Sequence, residues 1–448
     1  MKRIIIGGTH SGCGKTTVTC AILQALRDRS FKVASFKCGP DYIDPMFHEK
    51  IIGTNAYNLD SFFCGDNTLK FLLTENSRHS DISVIEGVMG FYDGVNGRGS
   101  ANSVSEITDT KAVIVIDCKG MSQSIGAVMK GFLTYQKNNI IGFIFNRLPE
   151  KLVPMAQKLC DELNTEYFGF MPNNRITVES RHLGLVTADE IDDIKEKMQA
   201  LADLAKKHIL LDRIIEISES EELIFTSPEI KSYSFKRPPV IAAAKDKAFC
   251  FLYSDNISLL RKMGCEIRYF SPLSDMKIPE ADGLILCGGY PELYAQQLSE
   301  NTSMLEDIKR KISGGMPAVA ECGGFMYLHS ELENADGRIY KMAGVIDGRV
   351  YKTDRLQRFG YVTMTAEKNN LLCGKGESLP AHEFHYWDST ACGYDFAARK
   401  TDGREWKCVH ANENLYAGFP HLYFYSDIKT AERLVRKCAE YGEIYEKN

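Results

Sequence analysis

The chain has 448 residues, 44% hydrophobic and 25% charged, with 54 Lys+Arg against 59 Asp+Glu and a net charge of −5. That length allows about three ordinary domains or two larger α/β ones, and the mild acidity excludes the global basic balance that favours a nucleic-acid partner. No apolar run reaches the roughly 20 residues that span a bilayer, and the fourteen cysteines include no CxxC pair and read as reduced thiols, so a cytoplasmic protein without membrane insertion is expected.

In chain order, residues 3–7 (RIIIG) form a short apolar strand, and TVTCAILQALRDR has the length and amphipathic spacing of a helix. A glycine loop joins them. Further apolar runs stand at Val33–Phe36, Ile82–Glu86, Ala112–Asp117 and Ile140–Phe145. Their continuous β-branched character, without strict polar alternation, predicts a parallel sheet covered on both faces. Residues 189–212 predict one or two surface helices that close this unit. The stretch SESEELIFTSPEIKSYSFKRPP keeps no sustained period, which places the domain boundary near Ser218 to Pro238. Beyond it, PPVIAAAKD starts a strand, YSDNISLLRKMG a helix, and GLILCGGYPELY a strand entering a glycine turn. With no internal repeat, the expected architecture is α/β throughout: a phosphate-loop NTPase-like parallel-sheet domain over 1–228, then a second α/β domain over 238–448.

Gly8–Thr17 reads GTHSGCGKTT at the strand-to-helix junction. Such a loop turns backbone N–H groups toward phosphate, here over Gly12, Cys13, Gly14, Lys15, Thr16 and Thr17. Lys15 adds positive charge and Thr16 a hydroxyl for magnesium. The common motif requires glycine where Thr9 stands, so the spacing departs at its first position. Asp41 and Asp44 lie in FKCGPDYIDPMFH, and Glu86 ends the ISVIE run before GVMGFYDG. Carboxylates at these strand ends can meet the phosphate loop across the carboxyl edge of a parallel sheet, to hold magnesium or orient a substrate. Turn capping is the plainer reading of each. Lys37 suits phosphate or an acidic substrate, with a surface lysine as the alternative.

Cys322 lies in PAVAECGGFMYL, where AVAE reads as a buried strand end, CGG as a sharp turn and FMYL as a helix start. A sulfur exposed on such an elbow can attack an amide while nearby N–H groups stabilise the oxyanion. Gly288 and Gly289 in LILCGGYPE form a second glycine turn suited to donate an oxyanion-hole N–H. His421 in YAGFPHLYF can accept the thiol proton if folding brings it to Cys322. His382 and His385 in AHEFHYWD lack the HExxH zinc pattern.

Taken together, GTHSGCGKTT, FKCGPDYIDPMFH, EGVMGFYDG, FNR, RHLGLVTADE, CGGYPE, AECGGFMYL and HEFHY resemble, in order and over nearly the whole chain, the cobyrinic acid a,c-diamide synthase family. The longer GTxSGxGKT spacing is also what that family looks like, so the departure at Thr9 becomes part of the resemblance. The resemblance implies a dethiobiotin-synthetase-like ATPase domain followed by a class I glutamine amidotransferase-like domain. The implied reaction is amidation of the a and c carboxylates of cobyrinic acid through acyl phosphates, with ATP and L-glutamine as co-substrates and Mg2+ as cofactor. Carried over by motif, Lys15 and Thr16 match phosphate and magnesium positions, while Asp41, Asp44 and Glu86 match acidic residues around metal and substrate. Tyr42 and Asp93 resemble substrate-handling positions, and Asn146 in FNR an adenine-recognition position. Two departures stand out. A typical class I site has glutamate two residues after its histidine, where this chain has Tyr423, so a dyad is expected. The HEFHY element carries Ala381 and Trp387 where the family text differs, and resembles part of a domain interface or substrate cleft. The same chemistry on hydrogenobyrinic acid or nickel sirohydrochlorin, and a nucleotide-regulated partitioning ATPase without glutamine chemistry, are the alternatives. Homo-oligomerisation is left open.

Overall fold

A computed structural model describes residues 1–173 and 194–443. Contacts divide the chain into two units, Met1–Pro228 and Glu229–Asn448. In the first, the apolar runs become strands β1 (Arg3–Gly8), β2 (Val33–Cys38), β3 (Asn55–Leu59), β4 (Ile82–Glu86), β5 (Ala112–Asp117), β6 (Ile140–Asn146) and β7 (Glu166–Met171). They pair in the order β3-β2-β4-β1-β5-β6-β7, every pair parallel. The central strands β1, β2 and β4 are buried along their whole length, as expected of unbroken β-branched runs with both faces covered.

Two strands have no counterpart among the expected runs, and both are outer ones. β3 reads NAYNL and alternates in burial because it lies at the sheet edge. β7 reads EYFGFM and contains Gly169, whose φ of +113° lets Ile209 bridge to it.

Helix α1 (Lys15–Asp28) follows β1 and buries Val18, Ala21, Ile22, Ala25 and Leu26, the i, i+3, i+4 stripe of an amphipathic helix. Gly14 caps its start at φ 90°, a left-handed conformation that favours glycine. The first turn of α1 carries no acid, which keeps the positive end of the helix dipole available to an anion. The expected closing helices are Ile194–His208 and Leu211–Ile217, so the second runs past the expected end at 212. The chain breaks between them because the Leu210 N–H donates to the Phe168 carbonyl at 2.9 Å, tying the junction to the sheet. The start of that stretch, 189–193, lies outside the described residues, as does RHLGLVTADE.

In the second unit, five parallel strands run in the order Glu266–Phe270, Val240–Ala244, Gly283–Leu286, Ala318–Glu321 and Leu415–Gly418, with His410–Ala411 antiparallel at the edge. Between Ala318–Glu321 and Leu415–Gly418 the chain builds largely antiparallel structure, including the paired strands Arg358–Ala366 and Ser378–His385. The second of these alternates strictly between partly exposed and buried residues, the pattern of a half-buried sheet. Helix Ile428–Tyr441 buries Ala431, Leu434, Val435 and Cys438, and Asp427 caps it by accepting the Lys429 N–H at 3.1 Å. None of the fourteen cysteines, all among the described residues, forms a disulfide. No helix among the described residues is long and apolar enough to cross a membrane.

Candidate functional site

The first unit gathers its polar chemistry at the carboxyl ends of β1, β2, β4 and β6. Parallel register makes this arrangement. Ile6 and Lys37 both align with Glu86, and Asp117 aligns with Asn146, so the loops leaving these strands converge on one edge. The phosphate loop leaves β1 there, with Gly12 at φ 83° and Gly14 at φ 90°. Lys15 is buried to 7% exposure, and no carboxylate among the described residues pairs with it. A buried ammonium without a counter-charge suits a phosphate ligand. Asn146 Nδ2 donates to the Cys13 carbonyl at 2.9 Å, and a Cβ on Gly14 would overlap the same amide. Asn146 is thus built against the loop.

Beside the loop is a buried charge cluster. Lys37 Nζ lies 2.6 Å from Asp44 Oδ2, 2.8 Å from Glu86 Oε1 and 4.0 Å from Asp41 Oδ2. Burial disfavours the Lys37 charge, but the carboxylates of Asp44, Glu86 and Asp41 outweigh it and hold the pKa above that of an ordinary lysine. Burial and Asp44 likewise oppose ionisation of Glu86, and Lys37 and His48 overcome them to leave its pKa lowered. Lys37 is therefore not a surface side chain; it is buried and balances three acids. His48, which the sequence reading left without a role, brings Nε2 within 3.2 Å of Glu86 Oε2.

Thr16 Oγ1 donates to Glu86 Oε1 at 2.6 Å, while Glu86 Oε2 is buried with His48 Nε2 as its neighbour at 3.2 Å. A hydroxyl and a buried carboxylate are hard oxygen donors of the kind that fit magnesium. Asp44 is the weaker member of the expected ligand set because its Oδ2 faces Lys37. Among the described residues no group of three or more His, Cys, Asp or Glu side chains is arranged to hold a metal.

Asp41 Oδ1 accepts the Ile43 N–H at 2.8 Å, so it also caps its turn, and Tyr42 stands at the start of the short helix Ile43–Phe47. Asp93 Oδ2 accepts the Gly90 N–H at 2.8 Å, and Asp93 lines a cavity of about 540 Å³ with Tyr92, Ser100, Asn102 and Lys137. That turn still abuts the phosphate loop, through the Phe91 N–H donated to the Gly8 carbonyl at 2.8 Å.

In the second unit, Ala318–Glu321 delivers Cys322 to a turn at φ 46°, ψ −104°, and Gly323–Leu328 then forms a helix. A non-glycine residue there is strained, by about 1–3 kcal/mol. The close packing around the turn maintains that conformation and keeps the sulfur at the elbow. Gly323 packs so closely on the second glycine turn that a Cβ would lie 2.9 Å from the Gly289 nitrogen. The backbone amides of both turns are thereby brought together.

His421 lies near enough to Cys322 for the sulfur to favour its charged form. It is buried, which opposes its charge, but Cys322 and Glu321 outweigh burial and push its pKa up to about 10. Its Nδ1 lies 3.7 Å from Glu321 Oε2. The HEFHY element belongs to this site. His382 aligns with His421 across the sheet, and burial with the neighbouring His421 charge pushes it down to about 3. His385 is structural: it stacks on Phe419 at 3.9 Å, its Nδ1 bonds the Trp387 carbonyl at 2.7 Å, and burial pushes it down to about 4. Glu321 was missed in the sequence because attention there falls on the cysteine after it. The signal was its place at a buried strand end.

Two family models cover the chain: a CobQ/CobB/MinD/ParA nucleotide binding domain over residues 4–185 and a CobB/CobQ-like glutamine amidotransferase domain over residues 240–428. Proteins named cobyrinate a,c-diamide synthase match end to end. That of Fusobacterium nucleatum subsp. nucleatum is 38% identical over 97% of this chain and 100% of its own length. That of Listeria innocua is 39% identical over 95% and 97%, and that of Thermoplasma volcanium 36% over 99% and 98%. Among solved structures, MinD of Pyrococcus horikoshii with Mg-ADP covers 49% of this chain and 99% of its own at 19% identity and a TM-score of 0.31. The family models and the seven-stranded parallel sheet agree with the expected order of a phosphate-loop domain followed by an amidotransferase-like α/β domain. On full-length identity to these relatives, the chain belongs to the cobyrinate a,c-diamide synthase family.

Proposed function

We propose that this chain uses ATP and glutamine to convert the a and c side-chain carboxylates of cobyrinic acid to amides, with residues 1–228 as synthetase and 238–448 as amidotransferase. The observation that carries the reading is the end-to-end match to proteins of that name, at 95% or more of this chain. Two separate chemistries on one chain support it.

In the amidotransferase, Cys322 attacks the glutamine side-chain amide as a thiolate whose proton is held on His421, and the Gly289 N–H stabilises the oxyanion. His421 returns the proton to the departing ammonia. Water then hydrolyses the glutamyl thioester to glutamate. In the synthetase, Gly12, Cys13, Gly14, Lys15, Thr16 and Thr17 cradle the ATP phosphates and Asn146 reads the adenine. Thr16 and Glu86, with Asp44, would hold magnesium, which when bound neutralises phosphate charge. A corrin carboxylate attacks the γ-phosphorus and ADP leaves, giving an acyl phosphate. Ammonia then attacks the acyl carbon, phosphate leaves and the nitrogen loses a proton. Lys37, Asp41, Tyr42 and Asp93 orient the carboxylate. A cytoplasmic location belongs to the same proposal.

The test incubates the protein with Mg2+, ATP, glutamine and cobyrinic acid, hydrogenobyrinic acid or nickel sirohydrochlorin, measuring ADP, glutamate and amide products together. Cobyrinic acid should give one ADP and one glutamate per amide, up to the a,c-diamide. No ATP turnover with any of the three would overturn the assignment, and turnover with another tetrapyrrole alone would reassign the substrate. Cys322→Ala should lose glutamine-dependent synthesis and keep synthesis from supplied ammonia.

A further inference from the structure

Tyr423 occupies the position where a class I site ordinarily carries the carboxylate that orients its histidine, and it cannot take over that task. It is fully buried, and its hydroxyl donates to Asp255 Oδ2 at 2.6 Å. Another carboxylate reaches the ring from a different direction. We propose that Glu321, the residue directly before the nucleophile, is the positioning residue of this glutaminase site: it holds the His421 ring by Nδ1 and stabilises the imidazolium formed when Cys322 gives up its proton. The proposal rests on the reading of Cys322 and His421 as the glutaminase pair.

Two contacts tie Glu321 to His421. Its Oε2 lies 3.7 Å from His421 Nδ1, and its Oε1 accepts the N–H of Leu422, the next residue, at 3.2 Å. Backbone register adds rigidity: Glu321 aligns with Gly418 across the parallel pair Ala318–Glu321 and Leu415–Gly418. One carboxylate thus fixes both the backbone and the ring of the histidine segment. The Nδ1–Oε2 separation exceeds a hydrogen bond, as is common in substrate-free sites whose contacts tighten on binding. With Nδ1 turned toward a carboxylate, that nitrogen carries the proton and Nε2 is left for the thiol.

The other titratable groups facing His421 do not supply the anion. His382 is held neutral by burial and by the His421 charge, and His385 by burial. Burial pushes Glu383 up to about 7, and its Oε2 is buried without a hydrogen-bond partner. Cys322 is the reacting group. Glu321, 7% exposed, is a buried carboxylate opposite the imidazolium, which suits it to pair with that cation.

The test uses the full-length chain and compares Glu321→Gln, Glu321→Asp and Cys322→Ala in glutamine-driven and ammonia-driven synthesis. For Glu321→Gln, glutamine-dependent kcat should fall by about 10²–10⁴-fold, the range for removing the charge behind a catalytic histidine. KM for glutamine and ammonia-driven synthesis should stay within about threefold, because Glu321 contacts neither substrate. The alkaline limb of the glutaminase pH profile should move to lower pH, since losing the anion lets His421 release its proton more readily. Glu321→Asp keeps the charge and should fall between the two. If Glu321→Gln does not fold, an intermediate kcat and a shifted limb for Glu321→Asp support the proposal, and wild-type behaviour overturns it. A Glu321→Gln enzyme within twofold of wild type with an unmoved limb overturns it, as does equal loss of the ammonia-driven reaction. Glutamine-driven synthesis surviving in Cys322→Ala would instead overturn the reading of the site beneath it.

Discussion

Replacing Lys37 with methionine keeps the length and apolar stem of the side chain and removes its ammonium from a site where it meets Asp44 at 2.6 Å, Glu86 at 2.8 Å and Asp41 at 4.0 Å. The lysine side chain is 3% exposed, Asp44 10% and Glu86 0%, so water cannot replace the lost charge. Removing one partner of a buried ion pair costs about 3–5 kcal/mol because the other charge is left uncompensated. For a unit of this size, that lowers the first-unit melting transition by about 6–20 °C. The deficit should depend on pH. In the native protein Glu86 has a depressed pKa, so its contribution is present above the unfolded pKa and is lost as pH falls through the folded one. In the variant, burial and mutual repulsion raise the carboxylates instead, so the folded state binds protons and gains relative stability as pH falls. Both effects narrow the gap between the proteins on acidification. Differential scanning calorimetry at pH 7.5 and pH 5 measures it. A deficit below about 1 kcal/mol at pH 7.5, or one that widens toward pH 5, would refute the charge-balancing role.

Other changes probe single contacts. Gly14→Ala forces a Cβ onto a residue at φ 90° and into the Asn146 amide, so ATP affinity should fall at least tenfold with the second unit's melt unchanged, read by calorimetric nucleotide titration. Gly288→Ala puts a Cβ 2.6 Å from His421 Cε1 and 3.3 Å from Phe251 Cβ; glutamine-driven kcat should drop about 10²-fold while ammonia-driven synthesis persists. Glu292 is pushed up to about 8 by burial, so the folded state holds a proton that the unfolded chain releases near the ordinary carboxylate pKa. Its stability contribution therefore declines as pH rises from about 5 to 8, by an amount on the order of a few kcal/mol. Glu292→Gln should flatten that decline in melting temperature, and identical slopes would count against a neutral buried acid.

The parallel core of the first unit was legible because burial on both faces demands continuous β-branched runs: Ile82–Glu86 and Ala112–Asp117 were read with their observed ends. β3 and β7 were not, since an edge strand needs only one apolar face and a glycine interrupts the other. The phosphate loop and the cysteine elbow were legible for a related reason: each is a local device, in which a few consecutive residues at one strand end contain most of the chemistry.

Electrostatic partnership is not local, and the fold decided it. Lys37 read as a contact for phosphate or an acidic substrate, or as a surface lysine; β2 and β4 set it in the interior beside Glu86, where three acids claim its charge. His382 and His385 read as an interface or cleft element or as structural histidines, and antiparallel pairing sets His382 opposite His421. Glu321 lies 100 residues from His421 along the chain, and parallel pairing brings the residue before Cys322 to within 3.7 Å of the ring. From the sequence came the parallel-sheet and amidotransferase-like fold class, the cysteine elbow and the phosphate loop, because periodicity and short motifs are properties of neighbouring residues. Which charges answer which was settled only by tertiary structure, because Coulomb energy and burial depend on distance in space.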